Sequence, residues 1–192
     1  MTDTLKRLLN NANSIYIING FAAIAAIAGV LLILSSNDIA AGPDGVAEAP
    51  VSNEMAALQN KALQLEKMLV DQPDNAHLNI DMGNTLSDLR QYKEAVPYYR
   101  NALAVAPDHA EVWIDLGVCY FNMRDFDSAI ASMQEALSRN PTHVKGLFNL
   151  GIIYYNNNQM DAAKSQWQKL IELHGDSPEA EIANKLLIKI NS

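Results

Sequence analysis

Four histidines and one cysteine are the side chains of this 192-residue chain best suited to metal ligation or nucleophilic attack. His109 and His143 stand 34 residues apart, with His77 and His174 on either side of them. If the chain stacked helices at that interval, the two imidazoles would occupy equivalent positions. Such positions lie roughly 10 Å apart or more, given helix spacings of about 8–10 Å, whereas one ion needs its ligands at about 2 Å. Polar turns, not a metal ladder, are therefore expected. Cys119 is alone, which rules out an internal disulfide and a Cys-x-x-Cys redox pair. Its apolar neighbours in GVCYF point to a packed thiol rather than a reactive one. The chain also has no Gly-rich phosphate loop, no zinc-ligand spacing and no nucleophile elbow. The expectation is a protein without catalytic residues, metal or cofactor, and not an enzyme.

The segments that would position these residues repeat. Gly83, Gly117 and Gly151 are spaced by 34, and so are Ala95, Ala129 and Ala163, and Pro73, Pro107 and Pro141. A fixed period of this length marks stacked helical hairpins. The middle unit reads Trp113, Leu116, Gly117, Tyr120, Ala129, Met133, Ala136, Pro141. The third reads Leu147, Leu150, Gly151, Tyr154, Ala163, Trp167, Leu170, with Gly175 in place of the closing proline. The first reads Asn79, Met82, Gly83, Leu86, Ala95, Tyr99, Ala102, Pro107, in which Asn79 and Leu86 depart from the pattern and imply looser outer packing. Over residues 76–175 the chain resembles the tetratricopeptide repeat (TPR) family. That resemblance implies repeats at 76–107, 110–141 and 144–175.

The spacing has a physical cause. Trp, Leu and Tyr positions three and four apart share one face of the first helix of each hairpin, helix A. The small Gly and Ala positions let the second helix, B, approach closely. Each proline ends helix B, and Asp74, Asp108 and Thr142 after them suit the N-cap role. A lone hairpin cannot bury its apolar face, so the ends need covers. Residues 53–73 supply an N-terminal cap helix. Residues 178–190, opened by Ser177-Pro178-Glu179, supply a C-terminal one. The expected fold class is all-α: an N-terminal transmembrane helix plus a TPR superhelix of three helical hairpins with flanking cap helices.

The transmembrane expectation comes from Ser14–Leu34, 21 residues without a charge, enough to span about 30 Å of hydrocarbon. A cleaved signal peptide competes, because Ile39-Ala40-Ala41 resembles a cleavage site. Lys6 and Arg7 precede the segment, and the next basic residue is Lys61. Basic residues stay cytoplasmic. This places 1–13 in the cytoplasm, 14–34 across the inner (plasma) membrane in contact with lipid, 35–52 as a flexible tether, and the repeats on the periplasmic or extracytoplasmic side. Ala22, Ala25, Ala26 and Gly29 form a small-residue face that another membrane helix could approach. Residues 35–192 hold 12 of the 14 Lys and Arg and 21 of the 22 Asp and Glu, a net charge of −9. Nucleic acid needs clustered cations, so it is excluded as a partner.

What remains is a groove. By resemblance to TPR arrays, the concave wall is lined in the first repeat by Asn84, Ser87 and Asp88. In the second it is lined by Ile114, Val118, Phe121 and Asn122, and in the third by Lys145, Phe148, Ile152, Tyr155 and Asn156. The expectation is an exposed apolar and aromatic stripe with Asn and Lys at its edge, suited to a protein partner: a peptide segment or an amphipathic helix. Phe121, Phe148 and Tyr155 would anchor it, Asn122 and Asn156 would hold its backbone, and Lys145 a carboxylate. The alternative is that the terminal helix or the tether covers this stripe. The functional expectation is a membrane-anchored assembly factor or scaffold. Trp167-Gln168-Lys169-Leu170 and the final helix are also similar to TPR subunits of bacterial cytochrome c maturation, which implies an apocytochrome as the partner. A permanent accessory subunit of a membrane complex, held through the Ala/Gly face, is the other reading.

Overall fold

The computed structural model describes residues 50–191. The expected span at 14–34, with Ala22, Ala25, Ala26 and Gly29, lies outside them, as does most of the expected tether. Among the described residues no helix is long and apolar enough to cross a membrane. These residues form only α-helices: α1 (Pro50–Asp71), α2 (Ala76–Asp88), α3 (Tyr92–Val105), α4 (Ala110–Asn122), α5 (Phe126–Arg139), α6 (Val144–Asn156), α7 (Met160–His174) and α8 (Pro178–Asn191). Helix α1 begins within the stretch expected to be tether, because Pro50 suits a first helical position.

Three hairpins, α2–α3, α4–α5 and α6–α7, pack in series. Each second helix also packs on the next first helix, and α8 closes the row against α7 and α6. Within a hairpin, the glycine of helix A faces one large side chain of helix B: Gly83 faces Tyr99, Gly117 faces Met133 and Gly151 faces Trp167. All three large side chains are buried, and so is Leu65 on α1, one period earlier. At the end of the row, Ser177 Oγ accepts the Ala180 amide at 3.1 Å, and Ala180, Ala183 and Leu187 turn inward.

The turns correct two expectations. The N-cap positions fall one residue later than Asp74, Asp108 and Thr142, at Asn75, His109 and His143; the side chains of Asn75 and His143 accept the amides of Leu78 and Gly146, while that of His109 makes no such bond. The reason is the reverse turn that Pro73, Pro107 and Pro141 each begin. The carbonyls of Gln72, Ala106 and Asn140 accept the amides of Asn75, His109 and His143, which leaves the residue after each proline inside the turn. Asn79, expected to loosen the first repeat, is instead buried, and its amide donates to the carbonyls of Pro73 and Asn75 at 2.8 and 2.9 Å. Trp113, one period on, donates from Nε1 to the Pro107 carbonyl at 2.8 Å. Asparagine therefore makes the indole's hydrogen bond.

Inside each hairpin the chain reverses through a residue with positive φ: Arg90 at 59°, Arg124 at 62° and Asn158 at 60°. The residue after each donates back to helix A: Gln91 to Leu86, Asp125 to Tyr120 and Gln159 to Tyr154. This left-handed closure satisfies carbonyls that the helix end would otherwise leave open.

Candidate functional site

The first helices touch one another, α2 on α4, α4 on α6, and α6 on α8, so they form a continuous inner layer. Side chains spaced four, three and four apart share one face of a helix. On α2 this face carries His77, Asp81, Asn84 and Asp88; on α4, Glu111, Asp115, Val118 and Asn122; on α6, Lys145, Asn149, Ile152 and Asn156.

The structure corrects the expected apolar stripe. Ile114, Val118, Phe121, Phe148, Ile152 and Tyr155 are all buried, Phe148 to 2% exposure and Tyr155 to 7%. Direct packing of first helices on one another, and of α8 on α6, leaves these side chains in the seams. The Phe121 ring meets Phe126 edge-on at 6.0 Å, and Tyr155 stands 6.1 Å from Trp167. The Phe148 carbonyl accepts the Trp167 indole N–H at 3.2 Å. Trp167 and Leu170 are also fully enclosed and belong to the core, while Gln168 and Lys169 between them are exposed.

The polar groove residues divide. Asp88, Asn122 and Lys145 are exposed, while Asn84, Ser87 and Asn156 are half-buried. Asn122 and Asn156 each spend an amide hydrogen on their own helix, on the carbonyls of Val118 and Ile152 at 2.8 Å. Asn84 Oδ1 accepts the Tyr99 hydroxyl at 2.8 Å.

The residue at the centre of the wall is one that the family pattern does not pick out. Asp115 is partly buried, and burial pushes its carboxyl up to about 7. Lys145 from α6 pulls it down, while Glu111 from α4 and Asp88 from α2 push it further up. Three successive first helices thus bring their charges to bear on Asp115, and its carboxylate makes no hydrogen bond or ion pair among the described residues. Asn149, one period later, is 5% exposed and its side chain is likewise unpaired. The signal available in the sequence was a lone carboxylate inside the apolar run VWIDLGVCYF.

At the inter-repeat turns Glu111 Oε2 sits 3.5 Å from His109 Nδ1, and its Oε1 sits 3.4 Å from His143 Nε2. The Glu111 carboxyl is held below its usual value first by its own backbone amide and then by these imidazoles. His174 Nε2 donates to the Thr142 carbonyl at 2.6 Å. Among the described residues no group of three His, Cys, Asp or Glu side chains could hold a metal ion. A cavity of about 390 Å³ between α3, α4 and α5 is lined by Arg100, Trp113, Tyr120 and Ser128. There the buried Tyr120 hydroxyl has no partner, whereas Tyr154, one period on, accepts from Gln134 at 3.2 Å. Position 100, the counterpart of 134, holds Arg100, whose guanidinium lies over the Tyr120 ring at 5.8 Å instead. Cys119 is fully enclosed and its thiol is pushed by burial up to about 12, which makes it a packed, inert group.

Three hairpins in series with an inner layer of first helices define a helical-repeat interaction module. The family model for the cilia and flagella-associated protein 70 middle TPR-like domain matches residues 53–190, and the chain belongs to that family. It is a TPR protein. Among solved structures it is similar to YrrB, described as a TPR protein with an unusual peptide-binding site, at 26% identity and a TM-score of 0.63 over 70% of this chain and 69% of that one. It is similar to MamA of Desulfovibrio magneticus RS-1 at 24% identity and a TM-score of 0.61, over 66% and 71%. MamA AMB-1 gives 27% and 0.60 over 65% and 73%. No curated protein matches the chain.

Proposed function

We propose that this TPR module is held at a membrane by residues 14–34 and captures a segment of a partner protein on its inner wall, as an assembly factor or scaffold. One observation carries this reading: a continuous inner layer of α2, α4 and α6 on which Asp115 and Asn149 lack partners. Polar groups removed from bulk water and left unpaired cost stability, and an incoming backbone or side chain relieves that cost. YrrB, whose description names a peptide-binding site, supports the analogy. The uncharged run at 14–34, with Lys6 and Arg7 before it, supports an inner-membrane location with the repeats outside the cytoplasm. Cytochrome c maturation, with an apocytochrome segment as the captured partner, is the finer form of this proposal.

The test is affinity purification of the full chain from native membranes in detergent, read by mass spectrometry. The wild type is compared with an Asn122→Arg/Asn156→Arg double variant, which places bulk and charge on the inner wall without touching the core. Loss of a partner in the variant is the expected result, and recovery of apocytochromes among the lost proteins would fix the pathway. If one membrane complex is retained equally by both, the interface lies elsewhere and the inner-wall proposal fails. The permanent accessory subunit, docked through Ala22, Ala25, Ala26 and Gly29, would then stand in its place.

A further inference from the structure

We propose that the inner wall selects a lysine- or arginine-bearing partner segment, with Asp115 as the carboxylate that meets the cation and Asn149 as an amide that meets the segment's backbone. This rests on the reading that a partner segment lies on the inner wall.

The argument begins with charge. The inner faces of α2 and α4 carry Asp81, Asp88, Glu111 and Asp115, against Lys145 on α6. Asp115 is the point where Asp88, Glu111 and Lys145 all act. A partly desolvated carboxylate attracts a cation more strongly than an exposed one, because the surrounding dielectric is lower. Its tendency to hold a proton, with a carboxyl near 7, measures how poorly the wall itself stabilises the charge. A lysine or arginine placed there supplies what Lys145 gives only in part.

Asn149 is the second, independent observation. It is nine-tenths buried and unpaired, yet the Tyr120 hydroxyl is the fully enclosed unpaired side-chain group among the described residues. The Asn149 amide therefore reaches the surface of the wall. It stands one period from Asp115, so one segment crossing from α4 to α6 passes both. An amide offers a donor and an acceptor together, the complement of a peptide unit.

The experiment uses the full chain in detergent and three fluorescein-labelled amphipathic peptides. They share one apolar pattern and carry Lys, Gln or Glu on the polar face. Fluorescence anisotropy gives affinities for wild type, Asp115→Asn, and Glu172→Gln on α7, which is outside the inner layer. Circular dichroism confirms that each variant is folded. The Lys peptide should bind wild type most tightly and the Glu peptide least. Asp115→Asn should weaken the Lys peptide about tenfold, the loss expected for one charge-assisted contact, and Glu172→Gln should leave it unchanged. If Lys and Gln peptides bind alike and Asp115→Asn alters neither, the charge selectivity is overturned while capture on the inner wall stands. Equal weakening by Glu172→Gln would also overturn it, because net charge alone would then explain binding. If none of the three peptides binds, the inner-wall reading falls together with this inference.

Discussion

Alanine substituted for the helix A glycine should cost each repeat a different amount, in an order set by the side chain opposite. Replacing glycine by alanine inside a helix gains about 1 kcal/mol of intrinsic propensity. Overpacking a close interface costs about 1–3 kcal/mol. At Gly117 the new Cβ would stand 3.0 Å from Met133 Cε, the free end of a flexible thioether, and 3.3 Å from the Ala129 carbonyl. The two effects nearly cancel there, so Gly117→Ala should fall within about 0.5 kcal/mol of wild type. At Gly83 it would stand 2.7 and 2.8 Å from the Tyr99 ring, which is buried and tethered through its hydroxyl to Asn84. The net loss should be about 1–2 kcal/mol. At Gly151 it would meet the Trp167 indole at 2.5 Å from Cδ1 and 2.7 Å from Cε2, and Nε1 is bonded to the Phe148 carbonyl. A rigid, fully enclosed ring cannot step aside without breaking that bond, so the loss should reach about 3 kcal/mol or more. Urea titration of the full chain by circular dichroism, fitted with a nearest-neighbour model suited to repeat arrays, gives the three values. Hydrogen exchange should show the Gly151→Ala loss first in α6–α8. A Gly117→Ala variant as unstable as Gly151→Ala would refute the claim that the opposing side chain sets the cost.

Other substitutions probe single groups. Asp115 has its carboxyl raised from its ordinary value to about 7. Between about pH 4 and 7 the folded chain keeps a proton that the unfolded chain has lost, so its stability falls as pH rises through that window and levels off above it. Asp115→Asn should remove this slope, giving a gain of up to about 4 kcal/mol above pH 7 and none below pH 4; identical pH profiles for the two chains would contradict it. Tyr120→Phe deletes an unpaired buried hydroxyl and should be neutral or stabilising by about 1 kcal/mol, whereas a loss of more than that in thermal melts would reveal a hidden partner for the hydroxyl. Arg124→Gly relieves a positive φ and should stabilise by about 1 kcal/mol, Asn158→Gly by less, since asparagine tolerates that region; the reverse order in urea midpoints would count against the turn argument.

The repeat layout was legible because a period is a strong signal: close helix approach needs glycine and alanine at fixed places, and the same places recur at 83, 117 and 151. The caps were misplaced by one residue because Asp and Thr after proline look like N-caps, while the preceding reverse turn consumes them. The positive-φ residues went unseen because Arg90 and Arg124 are not residues that advertise that conformation. The wall was misjudged for a different reason. Helix spacing tells which side chains point inward on one helix, but not how closely the next helix lies. Phe148 and Tyr155 therefore read as exposed when neighbouring helices in fact enclose them. Asp115 and Asn149 do not stand out in the repeat pattern, which marks the apolar and aromatic positions and is silent on the polar residue that interrupts them.

Cys119 has a use unrelated to its inertness. It is the single cysteine of the chain, in the first helix of the middle repeat, and fully enclosed. A thiol reagent can reach it only when α4 separates from its neighbours. The labelling rate of the natural sequence, compared with that of a free thiol, therefore reports the free energy of local opening at the centre of the array. Any ligand that clamps the inner wall would slow that rate, so the chain carries its own binding sensor at a site the ligand never touches.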